Sequence, residues 1–82
     1  QINPEISVCS NPLEQQIQFK WCNCIINRIE IFDVQGVLID VINVRNDSTE
    51  ANYPTNRMQS GVYIYRANNS NGYSQTGRFV VE

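Results

Sequence analysis

Histidine is absent from this chain and lysine occurs only at position 20. Nucleophilic catalysis at a cysteine wants a base beside the thiol, so without an imidazole that reading is poor. A tetrahedral zinc site fares no better, because Cys9, Cys22 and Cys24 have neither an imidazole nor a second cysteine pair to complete four ligands. The six basic residues are scattered, the net charge is -2 and the pI is near 4.9. That balance argues against nucleic acid or an anionic membrane surface as a partner. No apolar run is long enough to span a bilayer, none of these residues reads as a signal peptide, and no window sustains a helical period. A chain that opens on Gln1 rather than an initiator methionine is expected to be a piece excised from a longer protein.

What is present alternates. The 82 residues are expected to form one domain, burying about 60–65% of their unfolded surface. Ile6-Ser7-Val8-Cys9 reads as a first short strand with Ile6 and Val8 inward, ended by the turn signal Ser10-Asn11-Pro12. Gln16 to Trp21 is a second, with Ile17, Phe19 and Trp21 on one side. Ile29 to Asp33 and Val37 to Ile42 alternate on either side of Val34-Gln35-Gly36, where Asp33 is expected to accept turn amides and Gly36 to supply a positive φ. The central stretch is Met58 to Ala67. Gly61 lets the chain bend there before a β-branched and aromatic run in which Tyr63, Tyr65 and Ala67 face inward, opposite Val62, Ile64 and Arg66. Tyr73 to Thr76 followed by Gly77-Arg78-Phe79-Val80-Val81 make the last strand, with Phe79 and Val81 inward and Arg78 and Val80 outward. Strands at about ten-residue intervals point to an all-β sandwich of about seven antiparallel strands.

Residues Asn43 to Asn56 read as a polar loop that carries the chain from one sheet to the other. Its oxygen ligands lack the spaced aspartates and closing bidentate glutamate of a calcium loop, so no metal or cofactor is expected. Asp33, Asp40, Asp47 and Glu50 are read as solvated charge at turns or outer strand faces. Trp21 with Tyr53 or Tyr73 could make a sugar-binding platform, although a tryptophan in step with Ile17 and Phe19 belongs more naturally to the core.

Four segments together carry a family resemblance. The order Asn11-Pro12, Ile29-Glu30-Ile31-Phe32-Asp33-x-x-Gly36, Ser60-Gly61-Val62-Tyr63-Ile64 and Gly77-Arg78-Phe79-Val80-Val81 resembles the C-terminal sorting domain of Bacteroidetes type IX secretion cargo over nearly the whole chain. Ser10, the lone Arg78 and the final Glu82 depart from the usual pattern of that family. The resemblance implies an immunoglobulin-like β-sandwich at the C-terminus of a secreted protein, acting as a secretion signal and not as an enzyme. It implies passage through the periplasm, recognition by the outer-membrane translocon, and then either removal by a sortase-like peptidase or attachment of the cargo to lipopolysaccharide at the cell surface. The residues it assigns to sorting are Asp33, Gly36, Gly61, Val62, Tyr63, Gly77, Arg78, Phe79, Val80 and Val81. An oxidising export route also permits a disulfide between Cys9 and either Cys22 or Cys24, with buried free thiols as the alternative. The rival function is an extracellular immunoglobulin-like module, appended to a secreted enzyme, that binds a glycan or a protein.

Overall fold

The computed structural model describes residues 5–11, 13–22, 24–69 and 71–82. They form seven strands: β1 (Glu5–Asn11), β2 (Gln16–Cys22), β3 (Arg28–Phe32), β4 (Leu38–Asn43), β5 (Glu50–Pro54), β6 (Gly61–Asn68) and β7 (Ser74–Val81). All pairings are antiparallel, in two sheets of order β1-β2-β5 and β4-β3-β6-β7. This is an immunoglobulin-like sandwich in which the fourth strand stays hydrogen-bonded to the third.

The inward faces are those the alternation dictates. Ile17, Phe19 and Trp21 of β2 meet Ile29 and Ile31 of β3, Tyr65 and Ala67 of β6, and Phe79 and Val81 of β7, all buried. Phe19 is the centre of this layer, edge-on to Tyr65 at 5.2 Å between ring centroids and to Phe79 at 6.0 Å. Such edge-to-face pairs add specific geometry to the burial of area. Trp21 is only 4% exposed, so it is core and cannot serve as a sugar platform. Its Nε1 is a buried donor with no acceptor among the described residues.

Two parts of the sequence reading need correction. Residues 43–56 are not all loop, because β5 lies within them and pairs with β2, Tyr53 opposite Ile17 and Ala51 opposite Phe19. It is a short edge strand that presents only these two residues to the core, too few for a visible alternation. Asp40 is not on an outer face either. It stands opposite inward Ile31 and accepts a hydrogen bond from the Tyr53 hydroxyl at 2.8 Å, tying β4 of one sheet to β5 of the other. Burial, and then the neighbouring carboxylate, push the Tyr53 phenol up to about 12.

Of the two alternatives for the cysteines, the structure has free thiols. Cys9 is a free, exposed thiol opposite Gln18, while Cys22 stands opposite Glu5, four positions further along. That offset is about 13 Å at the rise of an extended strand, beyond the roughly 7 Å between Cα atoms that a disulfide can bridge. Cys24 is also free. It is the cysteine that packs against the core, and burial, then the neighbouring Cys22, push its thiol pKa up.

Candidate recognition surface

The residues assigned to sorting come from three separate stretches, and the strand register gathers them at one end of the four-stranded sheet. Gly61 lies opposite Val81, Val62 opposite Val80, and Tyr63 opposite Phe79, so the central and the terminal motif are direct antiparallel partners. Phe32 pairs with Ile64, which places the Asp33–Gly36 turn beside the same end. Pro12 lies outside the described residues, and Asn11 belongs to the β1–β2 corner in the other sheet.

Each of these residues has a definable local role. Asp33 caps the β3–β4 turn, its Oδ1 accepting the amides of Gln35 at 2.9 Å and Val37 at 3.0 Å, and its carbonyl accepting the Gly36 amide at 3.0 Å. Gly36 has φ +85°, which an L-residue adopts only with strain. Gly61, with φ +150°, opens β6. Two residues later the Tyr63 hydroxyl donates to the Gln59 carbonyl at 2.7 Å, pinning the corner between β5 and β6, while its ring stacks on Phe79 at 5.7 Å. This is the tyrosine corner known from sandwiches of this class. Gly77 has a steric reason of its own. A Cβ built there would lie 2.5 Å from the Tyr65 hydroxyl oxygen and 2.6 Å from its Cε2, because the Tyr65 ring covers the glycine directly opposite it.

The remaining motif residues point away from the core. Val62, Arg78 and Val80 are exposed on the outer face of the four-stranded sheet, and Val80 is 51% accessible. Leu38, Phe32 and Ile64 continue the same row across the sheet, level with Arg78. β7 is an edge strand: among the described residues it pairs with β6 alone, and β1 of the other sheet approaches it without pairing. Among the described residues, the main-chain groups of every second residue of β7 are therefore left without a strand partner on that side.

A polar cluster on this face was not read from the sequence. Glu30 lies between inward Ile29 and Ile31, so its own side chain points outward, yet it is only 7% exposed. Long neighbours cover it. The Arg66 Nε donates to Glu30 Oε1 at 2.7 Å, Asn68 Nδ2 donates to the same oxygen at 3.0 Å, and Arg28 Nη2 donates to Oε2 at 3.3 Å. The Arg66 hydrogen bond outweighs partial burial and holds the Glu30 carboxyl below the usual carboxylate range. The Arg66 guanidinium also lies over the Phe32 ring, 5.6 Å from its centroid. An open depression of about 410 Å³ runs from Glu30 to Asn27 and Asn69, away from the motif end. The signal that could have found the cluster is the in-phase placement of Glu30 and Arg66 on two outer faces, but their pairing depends on register.

With this geometry in hand, comparison with known families is decisive. The family described as "Secretion system C-terminal sorting domain" matches residues 7–82. The chain belongs to this family. It is a type IX secretion sorting signal domain, and the rival reading as a glycan- or protein-binding module is not favoured. A search of curated proteins found no match to the chain. The sorting domain has no helix long and apolar enough to cross a membrane among its described residues, and those residues hold no group of acidic or cysteine side chains placed to bind a metal ion. Asp47 pairs instead with Arg45 at 3.5 Å, and Glu50 accepts from Gln18 Nε2 at 3.2 Å. Membership implies interaction with the type IX machinery and export to the cell surface or medium.

Proposed function

We propose that the outer-membrane type IX translocon reads this sorting domain on the outer side of β7, with the domain serving as the C-terminal unit of a longer secreted cargo. A sortase-like peptidase then removes it or attaches the cargo to lipopolysaccharide, and the domain itself performs no catalysis. The observation that supports this reading most is the division within the motif. Gly61, Tyr63, Gly77, Phe79 and Val81 build the fold, while Arg78 and Val80 face outward beside an unpaired strand edge. An edge strand offers main-chain affinity, and its outward side chains offer selectivity.

The test is a fusion of a signal peptide, a fluorescent protein and residues 1–82, expressed in a type IX-competent bacterium. Fluorescence at the surface or in the medium is expected for the native domain and periplasmic retention for Arg78→Ala/Val80→Ser, whose changes leave the core untouched. Normal export of that folded double variant refutes recognition through the outer face.

A further inference from the structure

The charge on the outer face of the four-stranded sheet runs against that of the chain. The charged residues facing outward from its strands are Arg28, Arg66 and Arg78 against Glu30 alone, a net charge of +2 in a chain of net charge -2. Glu30 is covered and engaged by Arg66 and Arg28, and nearby Asp33 is committed to turn amides. Exposed Glu82, one residue past β7, adds a carboxylate only beyond Val80, so an anionic group approaching the middle of β7 meets arginine. Arg66 is oriented before any partner arrives, because Glu30 holds its Nε and Phe32 underlies the guanidinium. Its side chain is still 46% exposed, so its other N–H donors are accessible. Arg78, opposite Ile64, is the diagonal neighbour of Arg66 across the β6–β7 pair. Diagonal neighbours on one face lie about 7–8 Å apart, within reach of one acidic segment.

Resting on the reading that β7 is the recognised edge, we infer that its partner is an extended acidic segment that joins the sheet as a fifth strand, an acidic side chain meeting Arg78 and an apolar one meeting Val80. The alternation along β7 gives the spacing. Thr76, Arg78 and Val80 succeed one another on the outer face, so the partner presents a small polar, an acidic and an apolar residue at every second position. A strand is favoured over an anionic membrane because the basic and apolar groups border an open hydrogen-bonding edge, which a lipid surface would leave unused.

The test uses the isolated 82-residue chain and a labelled nine-residue probe peptide (length set to span β7) that carries threonine, glutamate and valine at successive alternate positions, so that all three share one face, beside a counterpart with lysine in place of glutamate. Amide shifts by NMR are expected along β7 with the glutamate peptide, weakening as salt is raised. The lysine peptide should bind about tenfold more weakly, and Arg78→Glu should reverse the preference. Arg78→Gln should weaken the glutamate peptide by about threefold to fivefold, with Arg78→Lys recovering part of it. If Arg66→Gln alone unfolds the domain by orphaning Glu30, the paired Glu30→Gln/Arg66→Gln variant replaces it, and it should also weaken the glutamate peptide. Shifts that avoid β7, equal affinity for the two peptides, or binding of phosphatidylglycerol vesicles without any response to peptide overturn the inference. Because no translocon is present, those results leave the export reading standing. Retention of the native fusion in the periplasm, with peptide binding intact, counts against that reading alone.

Discussion

Gly77 gives the sharpest structural prediction, because its place in the terminal motif invites a recognition role that the geometry does not require. Replacing it by alanine adds one methyl group, directed at the face of Tyr65 only 2.5 Å from the hydroxyl oxygen and 2.6 Å from two ring carbons. A contact that short forces something to move. The ring cannot simply swing aside, since Tyr65 is buried and packs edge-on against Phe19 at 5.2 Å, which itself meets Phe79. Either β7 shifts away from β6 at this pair or the aromatic layer repacks. Overpacking of this kind costs about 1–3 kcal/mol, which for a domain of this size lowers Tm by roughly 5–20 °C. Thermal unfolding followed by circular dichroism measures it directly.

A second variant separates packing from recognition. In Tyr65→Leu the ring is gone and a core cavity remains, so that change alone is destabilising. Adding Gly77→Ala to it should cost far less than adding the same methyl to the native protein, and the double-mutant cycle should show a coupling of about 1 kcal/mol or more. Export of Gly77→Ala should then fall only as far as its folded fraction falls. An unchanged Tm, or additive effects in the cycle, refutes the steric account and returns Gly77 to the candidates for direct recognition.

Four further outcomes follow from the same geometry. Gly61→Val should cost about 1–3 kcal/mol, because φ +150° is strained for a β-branched residue although no heavy atom lies within 4 Å of the new Cβ; Gly36→Ala, at φ +85° in equally open space, should cost about 1 kcal/mol. Denaturant titration checks both, and a native midpoint for either removes the backbone argument. Tyr63→Phe keeps the stack on Phe79 but loses the bond to the Gln59 carbonyl, so a loss of about 1 kcal/mol is expected by the same titration. Because Arg66 holds the Glu30 carboxyl below its ordinary value of 4.5, the ionised form contributes stability above that pH, and the contribution disappears as pH falls through the lowered value. Acid unfolding of Glu30→Gln should accordingly be less pH-dependent over that window than that of the native domain, and parallel acid limbs would show that the ion pair contributes nothing.

Much of this fold was legible because its core obeys a period of two. In β2 the inward Ile17, Phe19 and Trp21 and the outward Gln18 and Lys20 determine which face is buried, and the inward tyrosines of β6 follow from Arg66 marking the opposite side. Turn chemistry was equally readable, since Asp33 and Gly36 do at the β3–β4 turn what an aspartate and a glycine at that spacing do in isolation. What escaped was decided between strands. β5 has only Ala51 and Tyr53 to offer the core, and it is a strand because β2 has a free edge for it. Asp40 and Tyr53 meet only because two sheets stack, and Cys9 and Cys22 stay apart only because the β1–β2 register offsets them by four positions. Glu30 resembles an ordinary solvated charge until β6 brings Arg66 alongside it.

The division of labour within the motif changes how any scan of it has to be read. Of the residues in the central and terminal segments, Gly61 sets a bend, Tyr63 pins a corner, Gly77 makes room for Tyr65, and Phe79 and Val81 fill the core. Loss of export on changing any of these is expected even if no partner ever touches them, because an unfolded domain presents no edge. Val62, Arg78 and Val80 are different, since none is buried and none is needed to close the sandwich. Surface substitutions of that kind ordinarily change stability by less than about 0.5 kcal/mol. A sharp export defect there, at native Tm, therefore reports recognition, whereas the same defect at the inward positions reports only that the sandwich must be folded to be read.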